Sequence, residues 1–180
     1  MEAVEHKVRA ENLTKVLYPN DNVSVGKELR LRQQYFLVSC SLQDIIRRFR
    51  TANESWDLLP ERAFMQLNDT HPTLAVPELM RLLVDDYKLT WDHAWKITTA
   101  CLGYTNHTIL PEALEVWPAD LLGRLLPRHL QIIYEINSRF MRAVATRYPM
   151  DFDRMSRMSI IADGAYQQVR MANLLSLIHI

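Results

Sequence analysis

The sequence predicts an α/β protein in which helix dominates, and three observations carry that prediction. Two short β-prone runs, "AFMQL" (63–67) and "LGYT" (102–105), each pass into a cluster of Asn, Thr and His. Each cluster then leads through Pro-Glu into a helical pattern. Elsewhere apolar residues recur at spacings of three and four, the signature of a helix with one buried face. Strands that feed helices in this way belong to α/β architectures.

The opening segment, 2–17, is polar with sparse apolar positions (Val4, Val8, Leu13, Val16, Leu17) and reads as an exposed helix that needs a partner surface. "YPNDN" (18–22) breaks it with Pro and three Asx residues, whose side chains bond nearby backbone and favour turns. A long helix is expected over 27–50, with Leu31, Tyr35, Val38, Leu42, Ile45 and Phe49 buried. It closes in the basic turn "RRFR", where cations suit the negative end of the helix dipole. "TANESWDLLPER" (51–62) is a loop. Helices are expected over 72–87 and 91–102, the second with Thr90 as N-cap and Asp92 in its first turn. A helical pattern fills 119–147, where Pro127 marks a break or a new first turn. Leu130, Ile133, Ile136, Phe140 and Val144 line its buried face. The stretch 150–168 reads as helical or mixed, and "VRMANLL" (169–175) as the start of another strand. No internal repeat or low-complexity tract interrupts this order.

Bulk composition narrows the function classes. A chain of 180 residues, 48% hydrophobic and 23% charged, suits one soluble domain or a piece of a larger one. Lys+Arg and Asp+Glu both number 21, so no bulk field recruits nucleic acid or an anionic membrane. Cys40 and Cys101 sit in apolar helical patterns and read as reduced, buried thiols rather than a disulfide framework. No apolar run approaches the ~20 residues of a membrane span, and the charged N-terminus lacks a signal-peptide core. The compartment expected from these features is the cytoplasm.

The chemistry concentrates at the two strand-to-helix junctions, 68–72 and 104–115. In open α/β sheets, ligands collect at the carboxyl ends of the strands. If the two strands are parallel neighbours, Asn68, Asp69, Thr70 and His71 stand there beside Asn106, His107 and Thr108, with Glu115 beyond. That set is rich in donors and acceptors and modest in charge, which suits a polyhydroxylated ligand such as a sugar. The plainer reading is that Asn, Asp and Thr before Pro are ordinary turn and cap residues. Asp69, His71, His107 and Glu115 are also potential metal ligands, but their spacing is loose and no H-x-x-x-H or H-E-x-x-H pair occurs. No metal site is expected. His93 and His129 lie on helices and read as structural histidines. The sequence has no G-x-S-x-G elbow, no P-loop and no G-x-G-x-x-G, and its four glycines cannot build a phosphate cradle of that type. "IIRRFR" (45–50) presents guanidinium forks suited to phosphate, or a solvated basic turn.

The stretches "VLYPNDN", "GKELRLRQQYF", "DIIRRF", "QLNDTHPTLAVPELMR", "YTNHTILPEALE" and "LLPRHLQIIYEINSRF" resemble the glycogen/starch/maltodextrin phosphorylase family over residues 3–174. The resemblance implies a partial N-terminal domain of a two-domain, Rossmann-like GT-B glycosyltransferase fold. It implies an enzyme that uses inorganic phosphate to cleave terminal glucosyl units from an α-1,4-glucan, giving α-glucose 1-phosphate with retained configuration. It further implies pyridoxal 5′-phosphate as cofactor, working through its phosphate, and a homodimer. Segment 2–17 resembles the family's tower helix, and 18–26 the mobile loop at the mouth of the active site. By this likeness Asp21 and Asn22 lie near the glucosyl unit, with Asn22 bonding a sugar hydroxyl and His107 bonding the 6-hydroxyl. Asp69, His71 and Glu115 line a polar side channel. Arg47 and Arg48 match two arginines that bind an activating nucleotide's phosphate in animal members. The 51–62 loop is shorter than the animal loop over the adenine, so a bacterial, less regulated relative is expected, its arginines serving packing or dimer contacts.

Family members are several times longer than this chain. No lysine follows Lys96, so nothing in it matches the cofactor lysine, which lies in the family's C-terminal half. The chain alone is expected to be inactive and not to hold the cofactor. Residues 175–180, "LSLIHI", depart from the family pattern and are expected to be an artefact of truncation or read-through. A carbohydrate-binding module and a non-catalytic dimerisation partner stand as alternatives.

Overall fold

The computed structural model describes residues 2–17, 19–53, 55–108 and 110–179. Tyr18 of the mouth loop, Glu54 of the 51–62 loop, Ile109 of the second junction and Ile180 of the tail lie outside the described residues. The chain begins with α1 (Glu2–Lys15) and α2 (Ser24–Ala52), so Ser24, Val25 and Gly26 already belong to the first turn of α2. A short α3 (Leu59–Arg62) leads into β1 (Met65–Asn68). Next come α4 (Ala75–Arg81), continued by a wider turn over Leu82–Asp86, and α5 (Trp91–Cys101) running into β2 (Leu102–Thr105). The second half holds β3 (Val116–Pro118), α6 (Ala119–Leu125), α7 (Pro127–Arg147), α8 (Phe152–Met158), β4 (Ile161–Ala162), β5 (Gln168–Arg170) and α9 (Met171–Ser176).

Two small sheets result. β1 and β2 pair in parallel, joined by the α4–α5 crossover that parallel strands require. β3, β5 and β4 form an antiparallel sheet with β5 in the middle. The β5 segment overlaps the expected "VRMANLL" strand, but the chain turns helical at Met171. β3 and β4, only three and two residues long, carry too few positions for alternation to show.

The helical body packs around α4, in which Ala75, Val76, Pro77, Glu78, Leu79 and Met80 are all buried. α2 and α7 both pack against it, α2 bringing Leu31, Val38, Leu42, Ile46 and Phe49 to the core and α7 bringing Ile132, Ile133 and Ile136. Ile46, not Ile45, completes the α2 stripe, because 42–45–49 and 42–46–49 are both helical spacings and only packing chooses between them. Leu130 and Phe140 of α7 are partly buried rather than central. Cys101 is buried, and that burial pushes its thiol up to about 12. Cys40 is exposed, contrary to expectation. It stands two residues from both Val38 and Leu42, which turns it to the opposite side of α2. Glu78, the one fully buried carboxylate among the described residues, accepts from Ser39 at 2.8 Å and from Arg81 at 2.8 Å and 3.1 Å, and bonds His129. His93 bonds Asp57 at 2.9 Å, so both helical histidines have structural partners. In the tail, Leu177 and Ile178 are buried and the His179 imidazole accepts from the Tyr104 amide at 3.0 Å.

Candidate functional site

The register of β1 and β2 decides where the two junctions emerge. Met65 lies opposite Leu102 and Asn68 opposite Thr105, so both strands end at one edge and the junctions leave side by side. Gln66 Nε2 ties the strands again by donating to Thr105 Oγ1 at 2.8 Å. The ladder continues one residue further, where the Asp69 amide donates to the Thr105 carbonyl at 2.8 Å. There the backbone turns sharply, with Asp69 at φ 60°, a left-handed conformation that Asp and Asn tolerate better than other side chains.

That turn aims the Asp69 carboxylate across to the second junction. Its Oδ1 accepts from the His107 amide at 2.8 Å, and the His107 Nδ1 lies 3.4 Å away. The amide bond, against the cost of burial, holds the Asp69 carboxyl below the usual carboxylate range, helped by the neighbouring His107 and His71 rings. Within the second junction Asn106 Nδ2 donates to the Thr108 carbonyl at 2.6 Å, an Asx-type closure that shapes the loop carrying His107.

Glu115 reaches the same edge from the far side. The antiparallel pairing of Val116 with Arg170 fixes its backbone, and its carbonyl accepts from the Met171 amide at 3.1 Å. The carboxylate is almost fully engaged. Oε1 accepts from Arg30 Nε at 3.0 Å, Arg30 Nη2 at 2.7 Å and Gln34 Nε2 at 2.9 Å. Oε2 accepts from the buried Thr70 hydroxyl at 3.3 Å, and the Glu115 amide donates back to Thr70 Oγ1 at 3.2 Å. Arg30 then extends outward: Nη1 lies 3.4 Å from Asp21 Oδ2 in the loop before α2, and Nη2 lies 3.4 Å from His71 Nδ1. His71 Nδ1 is itself 3.6 Å from Glu115 Oε1.

Asp21, His71 and Glu115 are therefore gathered around one guanidinium, and Asp69 and His107 form a bonded pair on the junctions beside it. Asn22 stands in the exposed loop, its amide accepted by Asn20 Oδ1 at 3.0 Å. Arg47 and Arg48 belong elsewhere. They stand 17 and 18 positions further along α2 than Arg30, about 26 Å at the helical rise, and both pair with Asp44 at 2.6 Å and 2.7 Å. The Arg47 bond foremost, with burial opposing, keeps the Asp44 carboxyl low.

Arg30 and Gln34 were not singled out from sequence. Their one signal is that Gly26, Arg30 and Gln34 recur every four residues on α2, a polar row beside the apolar stripe. Gly26 in that row is dictated by contact, since a Cβ there would lie 1.7 Å from the Asn20 carbonyl oxygen.

Among the described residues no group of three His, Cys, Asp or Glu side chains is placed to hold a metal ion. No helix there is long and apolar enough to cross a membrane. A pyridoxal group needs an enclosed lysine for its Schiff base. The five lysines, at 7, 15, 27, 88 and 96, are all exposed, and Lys15 and Lys88 are already bonded to Glu11 and the Asp85 carbonyl. The residues present do not fit that cofactor.

A family model described as carbohydrate phosphorylase matches residues 1–179. The muscle forms of glycogen phosphorylase from Oryctolagus cuniculus and Homo sapiens are each 54% identical to it over 182 residues, covering 97% of this chain and 22% of the relative. A glycogen phosphorylase from Synechocystis sp. is 58% identical over 172 residues, covering 96% of this chain and 20% of the relative. The chain thus spans about a fifth of the length of the curated relatives it matches. With a match that runs almost end to end and more than half of the aligned residues identical, the chain belongs to the carbohydrate phosphorylase family.

Proposed function

We propose that the chain is part of an α-1,4-glucan phosphorylase, which cleaves terminal glucosyl units of glycogen or maltodextrin with inorganic phosphate to give α-glucose 1-phosphate. In this reading the two junctions form the glucosyl pocket. The observation that carries it is the parallel β1–β2 register, which sets both junctions at one edge of a family member's sheet.

The residues divide the work of orientation. Asn22 and His107 bond sugar hydroxyls, the imidazole taking the 6-hydroxyl. Asp69 holds the His107 backbone in place and adds negative charge beside the oxocarbenium-like state through which glycosyl transfer passes. Asp69, His71 and Glu115 line the side channel. The family implies a pyridoxal phosphate enzyme, but these residues do not supply that group's anchor. Residues 1–174 are read as part of the N-terminal half of a two-domain GT-B fold, with α1 meeting its counterpart in a cytoplasmic homodimer. An effector phosphate at Arg47 and Arg48 has to displace Asp44 first.

Titration of the isotope-labelled chain with maltoheptaose tests the pocket directly. The amides of Asn22, Asp69 and His107 are expected to shift together, and His107→Ala to remove the response. Amides that stay unmoved at saturating sugar, in a folded chain, overturn the assignment. In an active phosphorylase carrying these residues, His107→Ala is expected to lower kcat/KM about a hundredfold, the scale of a lost orienting contact.

A further inference from the structure

We infer that the Gly26–Arg30–Gln34 face of α2 is a clasp that positions the mouth loop, with Arg30 as the positioning residue for Asp21 and Asn22. The inference rests on the sugar-pocket reading only for what the loop does. The clasp itself stands on contacts within the chain.

Three contacts one helical turn apart build it. At the first turn of α2 the Asn20 carbonyl packs so closely on Gly26 that no side chain fits between them. One turn on, Arg30 Nη1 reaches Asp21 Oδ2. A further turn on, Gln34 Nε2 shares Glu115 Oε1 with Arg30. The loop is also braced internally by the Asn22 amide on Asn20 Oδ1. Loop and pocket floor therefore take their separation from one rigid helix face rather than from each other.

Charge gives Arg30 its particular part. Its side chain is 26% exposed, between a Glu115 carboxylate at 10% and an Asp21 carboxylate at 51%. The floor contact is a fork on one oxygen at 3.0 Å and 2.7 Å, whereas the loop contact is a single 3.4 Å approach. The guanidinium is thus anchored inward and holds the loop with what remains. Without it two carboxylates face each other across the mouth, and the loop carrying Asn22 loses both a tether and a counter-charge. Gln34 cannot replace it, because its amide donates to Glu115 and carries no charge.

Hydrogen exchange on the whole chain, with no sugar present, tests the clasp over the amides of residues 20–25. Arg30→Gln is expected to speed loop exchange about threefold, as for loss of an exposed ion pair, with Arg30→Lys in between because it keeps charge without the fork. Asp21→Ala is the decisive variant, since it removes both acceptor and charge and leaves Arg30 bonded to Glu115. It is expected to speed loop exchange with Tm unchanged, and on top of Arg30→Gln to bring the rate back toward its own, because it removes one of the two facing carboxylates. Loop exchange unaltered by Asp21→Ala overturns the inference. So does an Arg30→Gln chain whose exchange rises everywhere in step with a lower Tm, the mark of a purely structural arginine. A failed maltoheptaose titration with an intact clasp would instead strike the sugar reading alone.

Discussion

Asp69 combines a left-handed backbone with a carboxylate that holds another segment's amide, and the two demands can be separated by substitution. Asn tolerates the same backbone and keeps an oxygen acceptor, whereas Ala has neither advantage. Asp69→Ala is therefore expected to speed exchange of the His107 amide about tenfold, and Asp69→Asn to leave it within a factor of about two. Equal rates in the two variants would show that the carboxylate does not hold the second junction. Glu78 obeys a different balance. Burial pushes its carboxyl up, but the bonds from His129, Arg81 and Ser39 outweigh that and bring it down to about 2 from an ordinary 4.5. A depressed folded value means that stability is fully present above pH ~4.5 and is lost as pH falls toward ~2. Urea midpoints are expected to drop over that window in the native chain and to drop less in Glu78→Gln. At pH 7, Glu78→Ala is expected to cost about 3–5 kcal/mol, because it leaves Arg81 and His129 without their buried partner.

Among the elements, α2 shows a local rule overridden by contact. Replacing a helical glycine by alanine normally stabilises by about 1 kcal/mol. At Gly26 the added carbon meets the Asn20 carbonyl at 1.7 Å, so Gly26→Ala is expected to lower Tm instead. A rise in Tm would mean the loop moves aside at no cost. The turn between α7 and α8 shows the reverse. Met150 has φ 64° and an 80% exposed side chain, so Met150→Gly is expected to raise stability by about 1 kcal/mol in a urea melt. The same elements show what the sequence could reveal. Periodicity placed α2, α5 and α7, Thr90 did cap α5, and Pro127 did open α7. Periodicity could not decide between Ile45 and Ile46, nor show that Cys40 faces away, because side chains that fit equal spacings are sorted only by what they meet.

Across the molecule, the two polar junctions were legible because strand, cap and turn residues are neighbours in sequence. Their convergence on Arg30 was not, since Glu115 stands 85 positions from its guanidinium and no local pattern joins them. Stability is also unevenly spread at this scale. Among the described residues α1 packs chiefly on α2, with Gln33 Nε2 donating to the Val16 carbonyl at 2.7 Å just past its end, and fourteen residues are marginal for a free helix. Its amides are expected to exchange first and those of α4 last, and α1 protection matching α4 would contradict this layout. The carboxylate at the centre of the body also dictates an order of assembly. Ser39 and His129 come to Glu78 from 39 positions before and 51 after. A carboxylate stripped of water before those partners arrive is strongly disfavoured, so α4 gains little by docking early on either helix alone. α2, α4 and α7 are therefore expected to close together, late and cooperatively.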